Sequence, residues 1–274
     1  MTTTASALRQ SAVPGARLNT LGILRSEWTK MRSLRSTVWS FIAAIVLLVG
    51  VSTLMSFLTS KHWAEMTGEE RAGFDPTSTS IAGGFLAQLA IGVLGVLLIS
   101  GEYTTGMIRS TMSAVPRRLP ALWAKVAVFS VVTFVSMLAS TFAAFTFGQQ
   151  ILTSTGASVG LDDPQVMRAL VGCALYLTVV GLLGMALGAL LRHSAGAISA
   201  LVGILLVLPL IAAFVPGDLQ RTIRKFLPGE AGQQVLMVMR NPEALAPWTG
   251  FALFLGYAAA VMVLAAVLLR RRDV

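Results

Sequence analysis

The sequence predicts an all-α integral membrane protein with six transmembrane helices, an N-terminal interfacial helix and one short helix in the loop after the second span. Three observations carry that class. Of the 274 residues, 55% are hydrophobic and only 12% are charged, with a mean hydropathy of +0.76, where ordinary soluble domains carry roughly a quarter charged residues. Six apolar runs approach or exceed the roughly 20 residues that a helix needs to cross a bilayer. The basic residues behind the net charge of +9 sit at the ends of those runs, a pattern of membrane topology and not of a nucleic-acid patch.

Residues 1–19 are rich in Thr, Ser and Ala and contain Pro14-Gly15, which predicts a disordered tail. The first apolar run begins only near Val38, so no cleaved signal peptide is expected. Over residues 20–36, Leu21, Leu24, Trp28 and Met31 recur at helical spacing among Arg25, Lys30, Arg32 and Arg35. A helix of this kind lies in the membrane surface with its cations among headgroups. The membrane domain, 37–274, has spans near 37–57, 81–100, 121–147, 166–191, 195–215 and 248–269. The second carries Gly83, Gly84, Gly92 and Gly95, and the fourth Gly181, Gly184 and Gly188, small residues that permit close helix contact. In the third, Ser130, Thr133, Ser136, Ser140 and Thr141 are expected to bond to their own backbone or across to neighbours. Asp162-Asp163-Pro164 reads as a helix start, and Pro209 as a kink in the fifth span. In residues 217–247 the apolar patch 235–239 is too short to cross, which predicts an outer-face cap that dips back toward the membrane.

Orientation follows from charge. The side holding both termini collects 14 of the 21 basic residues and 3 of the 12 acids. Both termini are therefore expected in the cytoplasm. The lone Cys173, inside an apolar run, permits no intrachain disulfide and reads as small apolar filler.

Little catalytic chemistry is visible. No phosphate-binding G-x-x-x-x-G-K-[ST] loop and no H-E-x-x-H pair occurs, and His62 and His193 fall on opposite sides of the membrane. No enzyme is expected, no catalytic residue and no metal site. Spans without ionisable groups at their centres disfavour coupling to an ion gradient, so transport would draw its energy from a cytoplasmic ATPase.

The segment that organises this reading is 101–120, GEYTTGMIRSTMSAVPRRLP, too charged for lipid and too short for a domain. A short helix is expected from Tyr103 to Met112, with Glu102 at its positive end. The order of basic amphipathic helix, six spans and a GEYTTG…IRST…PRR…K stretch after the second span resembles ABC transporter permeases of the ABC type-2, or type V, exporter family. The opening LRSEWTKMRSLRSTVWS is similar to the start of many actinobacterial members, and LPGEAGQQV, Leu227 to Val235, to the family's stretch before its last span. Glu102, Gly106, Arg109, Pro116, Arg117 and Lys125 match the family's acid, turn and Pro-Arg…Lys run. Met107 departs from the Thr or Ser that often follows the glycine.

The resemblance implies a permease that exports a hydrophobic or amphipathic cargo and lacks its own ATPase. It implies a separate ATP-binding cassette subunit, which holds the ATP and magnesium, and a permease homodimer in a bacterial plasma membrane. Coupling to that ATPase falls to Glu102, Tyr103, Thr104, Thr105, Gly106, Arg109, Arg117 and Arg118, and the interfacial helix contributes Trp28, Lys30, Met31 and Arg32. Two other classes stay open on the residues alone: a structural or sensory membrane subunit, and an intramembrane lipid-modifying enzyme.

Overall fold

The computed structural model describes residues 20–104, 118–239 and 241–271. They form an all-α assembly with six helices long and apolar enough to span a membrane. Helix α1 (Thr20–Ser33) is joined through Leu34, in extended conformation, to α2 (Arg35–His62), the first span. Two short helices follow, α3 (Gly68–Ala72) and α4 (Pro76–Ser80), before the second span, α5 (Gly84–Thr104). The third span is α6 (Arg118–Leu152) and the fourth α7 (Pro164–Leu191). The fifth is broken into α8 (Ser194–Val202), a π-helical turn and α9 (Leu208–Ala212). After α10 (Asp218–Phe226) and α11 (Pro228–Gln233), the sixth span is α12 (Pro247–Arg271). The tail 1–19 and the segment 105–117, with Thr105, Gly106, Arg109 and Arg117, lie outside the described residues.

Local chemistry explains where these helices start. Thr67 and Glu70 form a reciprocal capping box on α3. Asp75 caps α4 by accepting from Thr77 N and Ser78 N. The expected start at Asp163-Pro164 holds: Asp163 Oδ1 accepts from Gln165 N at 2.7 Å, and Pro164 fills the first helical position. In the fifth span the break lies one turn ahead of the expected kink. Pro209 cannot donate to the Leu205 carbonyl, and the ladder loosens before it: Leu208 N–H reaches back to Gly203 O, five residues away.

The core is built around α7, which is buried almost continuously from Val166 to Ala189. A helix that is apolar all round needs neighbours on every side, and α7 packs against α5, α6, α8 and α12. Its tightest contact is with α5. A Cβ on Gly95 would overlap the carbonyl of Gly181, and one on Gly184 would overlap that of Gly92. The two backbones are thus in direct contact, the arrangement that small residues allow in lipid.

Of the two expected ways to bond, the hydroxyls of the third span take their own helix. Ser130, Ser140 and Thr141 donate to their own helix, to the carbonyls of Val126, Ser136 and Met137. Thr133 is fully buried, and its hydroxyl finds no partner among the described residues. Cross-helix bonds come from other positions, such as Gly83 N to Ser52 Oγ at 3.0 Å and Tyr176 OH to Gln88 Oε1 at 2.6 Å.

The segment between the fifth and sixth spans is folded into the bundle. Gly232 abuts the rings of Tyr176 and Phe254, and Val235, fully buried, fills the space over Gly172. Tyr176 lies twelve residues into α7, roughly 18 Å along it at 1.5 Å per residue, so α11 enters well below the helix ends.

The glycine contact gives a prediction. Gly95→Val should separate α5 from α7 and destabilise the protein by about 1–3 kcal/mol, the range for overpacking. Gly50→Ala, where an added Cβ meets nothing within 4 Å, should be neutral or mildly stabilising. Thermal denaturation in detergent distinguishes them, and equal melting temperatures would refute the close contact.

Candidate functional site

Four charged side chains from three helices meet at the face where α5 ends and α6 begins. In α5 the helix continues past Ser100 to Thr104, which places Glu102 in its last turn. Lys125 stands on the second turn of α6, and α1 brings Glu27 and Lys30, three residues apart on one side of the helix. Lys125 Nζ donates to Glu27 Oε2 at 2.6 Å and to Glu102 Oε1 at 2.8 Å. Lys30 Nζ donates to Glu27 Oε1 at 2.8 Å and lies 3.7 Å from Glu102 Oε1.

The cluster is electrically balanced and largely dry. Glu27 is 5% exposed and Glu102 8%; the Lys125 side chain is 12% exposed. Such groups are held by their partners, and removing one strands the others in a medium that solvates charge poorly. Burial by itself would raise the Glu27 pKa. The ammonium of Lys125, through charge and hydrogen bond, and that of Lys30 outweigh burial and hold the carboxyl below its ordinary value of 4.5.

Geometrically this is a clasp. Lys125 and Glu102 join the end of α5 to the start of α6, and Glu27 and Lys30 bind α1 to the same point. A second set of contacts leads away from it. The Arg192 guanidinium stacks over the Tyr103 ring at 5.2 Å, and Ser100 Oγ lies 2.8 Å from Ser194 Oγ. The end of α5 is therefore tied to the turn between α7 and α8. That turn is tight: Arg192 adopts φ 54° and its N–H reaches Gly188 O, while His193 Nδ1 caps α8 by accepting from Gly196 N.

Of the residues singled out from the sequence, Glu102 and Lys30 belong to the clasp, and Tyr103 stacks beside it. Met31 is buried next to Glu27, one turn on; Trp28 is half exposed and Arg32 exposed. Thr104 ends α5, and Arg118 opens α6. One expectation needs correction: Glu102 does not stand ahead of a new helix but lies inside the second span, in α5, with its carboxylate on Lys125. Most of the helix expected from Tyr103 to Met112 lies outside the described residues. Of the apolar stripe of α1, Leu21 and Trp28 are exposed, Leu24 is half-buried and Met31 is buried. Sequence reasoning gave Glu27 no role. Its one signal was being the only acid in a basic helix.

A family model described as ABC-2 family transporter protein matches residues 23–208. The chain belongs to the ABC-2 transporter family. It is a multi-pass membrane permease component of an ABC transporter, a class that works with an ABC ATP-binding partner and is not itself an enzyme. The match takes in α1 and the first five spans nearly whole, and with them all four clasp residues of the ABC-2 permease. Comparison with curated proteins gave no significant match.

Two predictions concern the clasp. Lys125→Met should leave Glu27 and Glu102 with the half-exposed Lys30 as their one shared cation among the described residues and cost about 3–5 kcal/mol. Hydrogen exchange should show α1 amides deprotected first; unchanged protection of α1 would refute the clasp. For pH, the native Glu27 pKa lies below its unfolded value, so its stabilisation is complete above 4.5 and is lost as pH falls through the lower native value. α1 should stay docked from neutral pH down to 4.5 and loosen below it. Glu27→Gln should weaken docking at neutral pH and remove that acid-dependent step.

Proposed function

We propose that this permease exports a hydrophobic or amphipathic cargo, such as a drug, peptide or lipid, and that the clasp transmits force from the ATPase. One observation supports the reading above all: Glu102 and Lys125 pair the end of α5 with the start of α6, and both pair with charges on α1, Lys30 and Glu27. A push on the segment 105–117 would move α1, α5 and α6 together. Thr105, Gly106, Arg109, Arg117 and Arg118 form the docking surface in this reading, with Trp28, Lys30, Met31 and Arg32 alongside. ATP and magnesium bind the partner subunit, and two permeases pair in the bacterial plasma membrane.

Both termini lie in the cytoplasm in this reading, because 14 of 21 basic residues gather on the terminal side. The apolar spans suit an apolar or amphipathic cargo, and the lack of central charge favours drive by ATP over drive by an ion gradient.

The test is ATPase stimulation and export by the reconstituted complex. Arg109→Glu should abolish stimulation while leaving the amount of inserted permease unchanged, and Glu102→Ala should lower both stimulation and the stability of the α1 contact. Wild-type stimulation and export from both variants would refute coupling through this stretch. Cysteines at Glu69 and Asp162 should react with an impermeant thiol reagent in intact cells, and one at Arg117 should not. Labelling at Arg117 would overturn the orientation.

A further inference from the structure

Beside the clasp lies a cavity of about 210 Å³ between α1, α2, α5 and α6. Its volume corresponds to roughly seven waters at their liquid share. Its deep wall, however, is apolar: Leu94, Leu97 and Leu98 from α5 and Phe129 from α6. Water needs polar partners that this wall does not offer. The shallow end is the opposite, formed by the clasp itself. Leu94 and Glu102 are eight residues apart on α5, so the cavity runs roughly 12 Å from charge to hydrocarbon at 1.5 Å per residue.

That polarity is the polarity of a lipid in the adjacent leaflet. Charge lies at the membrane face, and the apolar part points toward the bilayer centre. The cavity also borders half-buried Ser40 of α2, whose neighbours Trp39 and Ile42 are exposed on the outside of the bundle.

The clasp has spare capacity of both signs. An ammonium has three donors, and Lys125 uses two of them, on Glu27 and Glu102. Glu102 accepts through Oε1 alone; among the described residues its Oε2 enters no ion pair. A ligand that fits both must accept from an ammonium and donate to a carboxylate. A headgroup with a phosphate and a primary amine does so. A choline headgroup has no N–H to donate; a glycerol headgroup can donate through its hydroxyls, but its net negative charge would unbalance a neutral cluster of two ammoniums and two carboxylates.

We propose that the cavity holds one chain of a membrane phospholipid with a phosphoethanolamine headgroup, its phosphate on Lys125 and its amine on Glu102. The bound lipid fills the wedge between α1 and the spans and makes the seat of α1 sensitive to the lipid composition of that leaflet. The site is complete within one protomer and does not depend on the direction of transport.

The experiment uses the full-length protein in nanodiscs that contain equal amounts of phosphatidylethanolamine, phosphatidylcholine or phosphatidylglycerol carrying a photoreactive group on the chain. Cross-links are mapped by mass spectrometry. The ethanolamine lipid should label the peptides containing Leu94 to Leu98 and Val128-Phe129 about fivefold more than the other two, the equivalent of one net hydrogen bond. Leu97→Trp should fill the cavity and abolish this labelling while leaving that of the exposed α2 surface at Trp39 and Val46 unchanged. Ser40→Phe, from another wall, provides the same test if Leu97→Trp does not fold. Equal labelling by all three lipids, labelling that survives either filled cavity, or labelling confined to the outer surface would each overturn the proposal.

Discussion

Direct backbone contact between α5 and α7 is the constraint on which the rest of the structure depends. In lipid there is no hydrophobic driving force to press one apolar helix on another, so association rests on close packing and a few polar bonds. Gly92 and Gly95 on one helix, with Gly181 and Gly184 on the other, bring the carbonyls of each within reach of the other's Cα positions. Everything else attaches to that pair. α2 and α6 flank α5 and α7, α12 lies against α7, and α11 is received on the far side of α7 where Gly172 and Gly232 leave room. A structure so held is stiff along the α5–α7 seam and looser at its margin, where the fifth span combines the π turn with exposed Val207, Leu208, Leu210 and Ile211.

The clasp gains its meaning from this seam. A buried ion pair is poor evidence of stability, because an apolar substitute of the same shape often does as well. What the pairs provide is register. Lys125 satisfies two carboxylates on two different helices, so α1 can dock in only one position along α6 without stranding a charge. Because Glu102 stands at the end of the stiffest helix, the docking point of α1 is fixed relative to the core and not merely relative to the membrane surface.

The sequence made the all-α class and the six spans legible because both follow from hydropathy and length, which need no knowledge of partners. Caps were legible for the same reason: Asp163 acts on a residue two positions away. What could not be read were contacts between distant residues. Glu27 and Lys125 are 98 positions apart, and each alone looks like an ordinary charge near a membrane surface. Periodicity made α1 legible as an amphipathic helix, and Leu21 and Trp28 are exposed on it. That Glu27 of the same helix is buried against Lys125 was not legible, because its partner comes from another helix. Hydroxyls left two choices open, and a serine or threonine in a helix always has its own carbonyl four residues back as a partner.

The polar groups of the bundle are arranged in two layers with little between them. One layer is the clasp, extended by Ser100–Ser194 and by Arg192 on Tyr103. The other lies toward the opposite face, where Tyr176 joins Gln88 to Gln233 of the inserted segment. Between them the helices meet through glycines, alanines and aliphatic side chains, contacts that carry no directional bonds. Such a middle is held by close packing, and each polar layer adds directional bonds at its own level. The two links from α5 to the α7–α8 turn connect the clasp layer to the fifth span, the one span whose hydrogen-bond ladder is already interrupted. In the proposed coupling, a displacement of the clasp would pass by these bonds from α5 to the fifth span, while the Tyr176 layer ties α5, α7 and the inserted segment together.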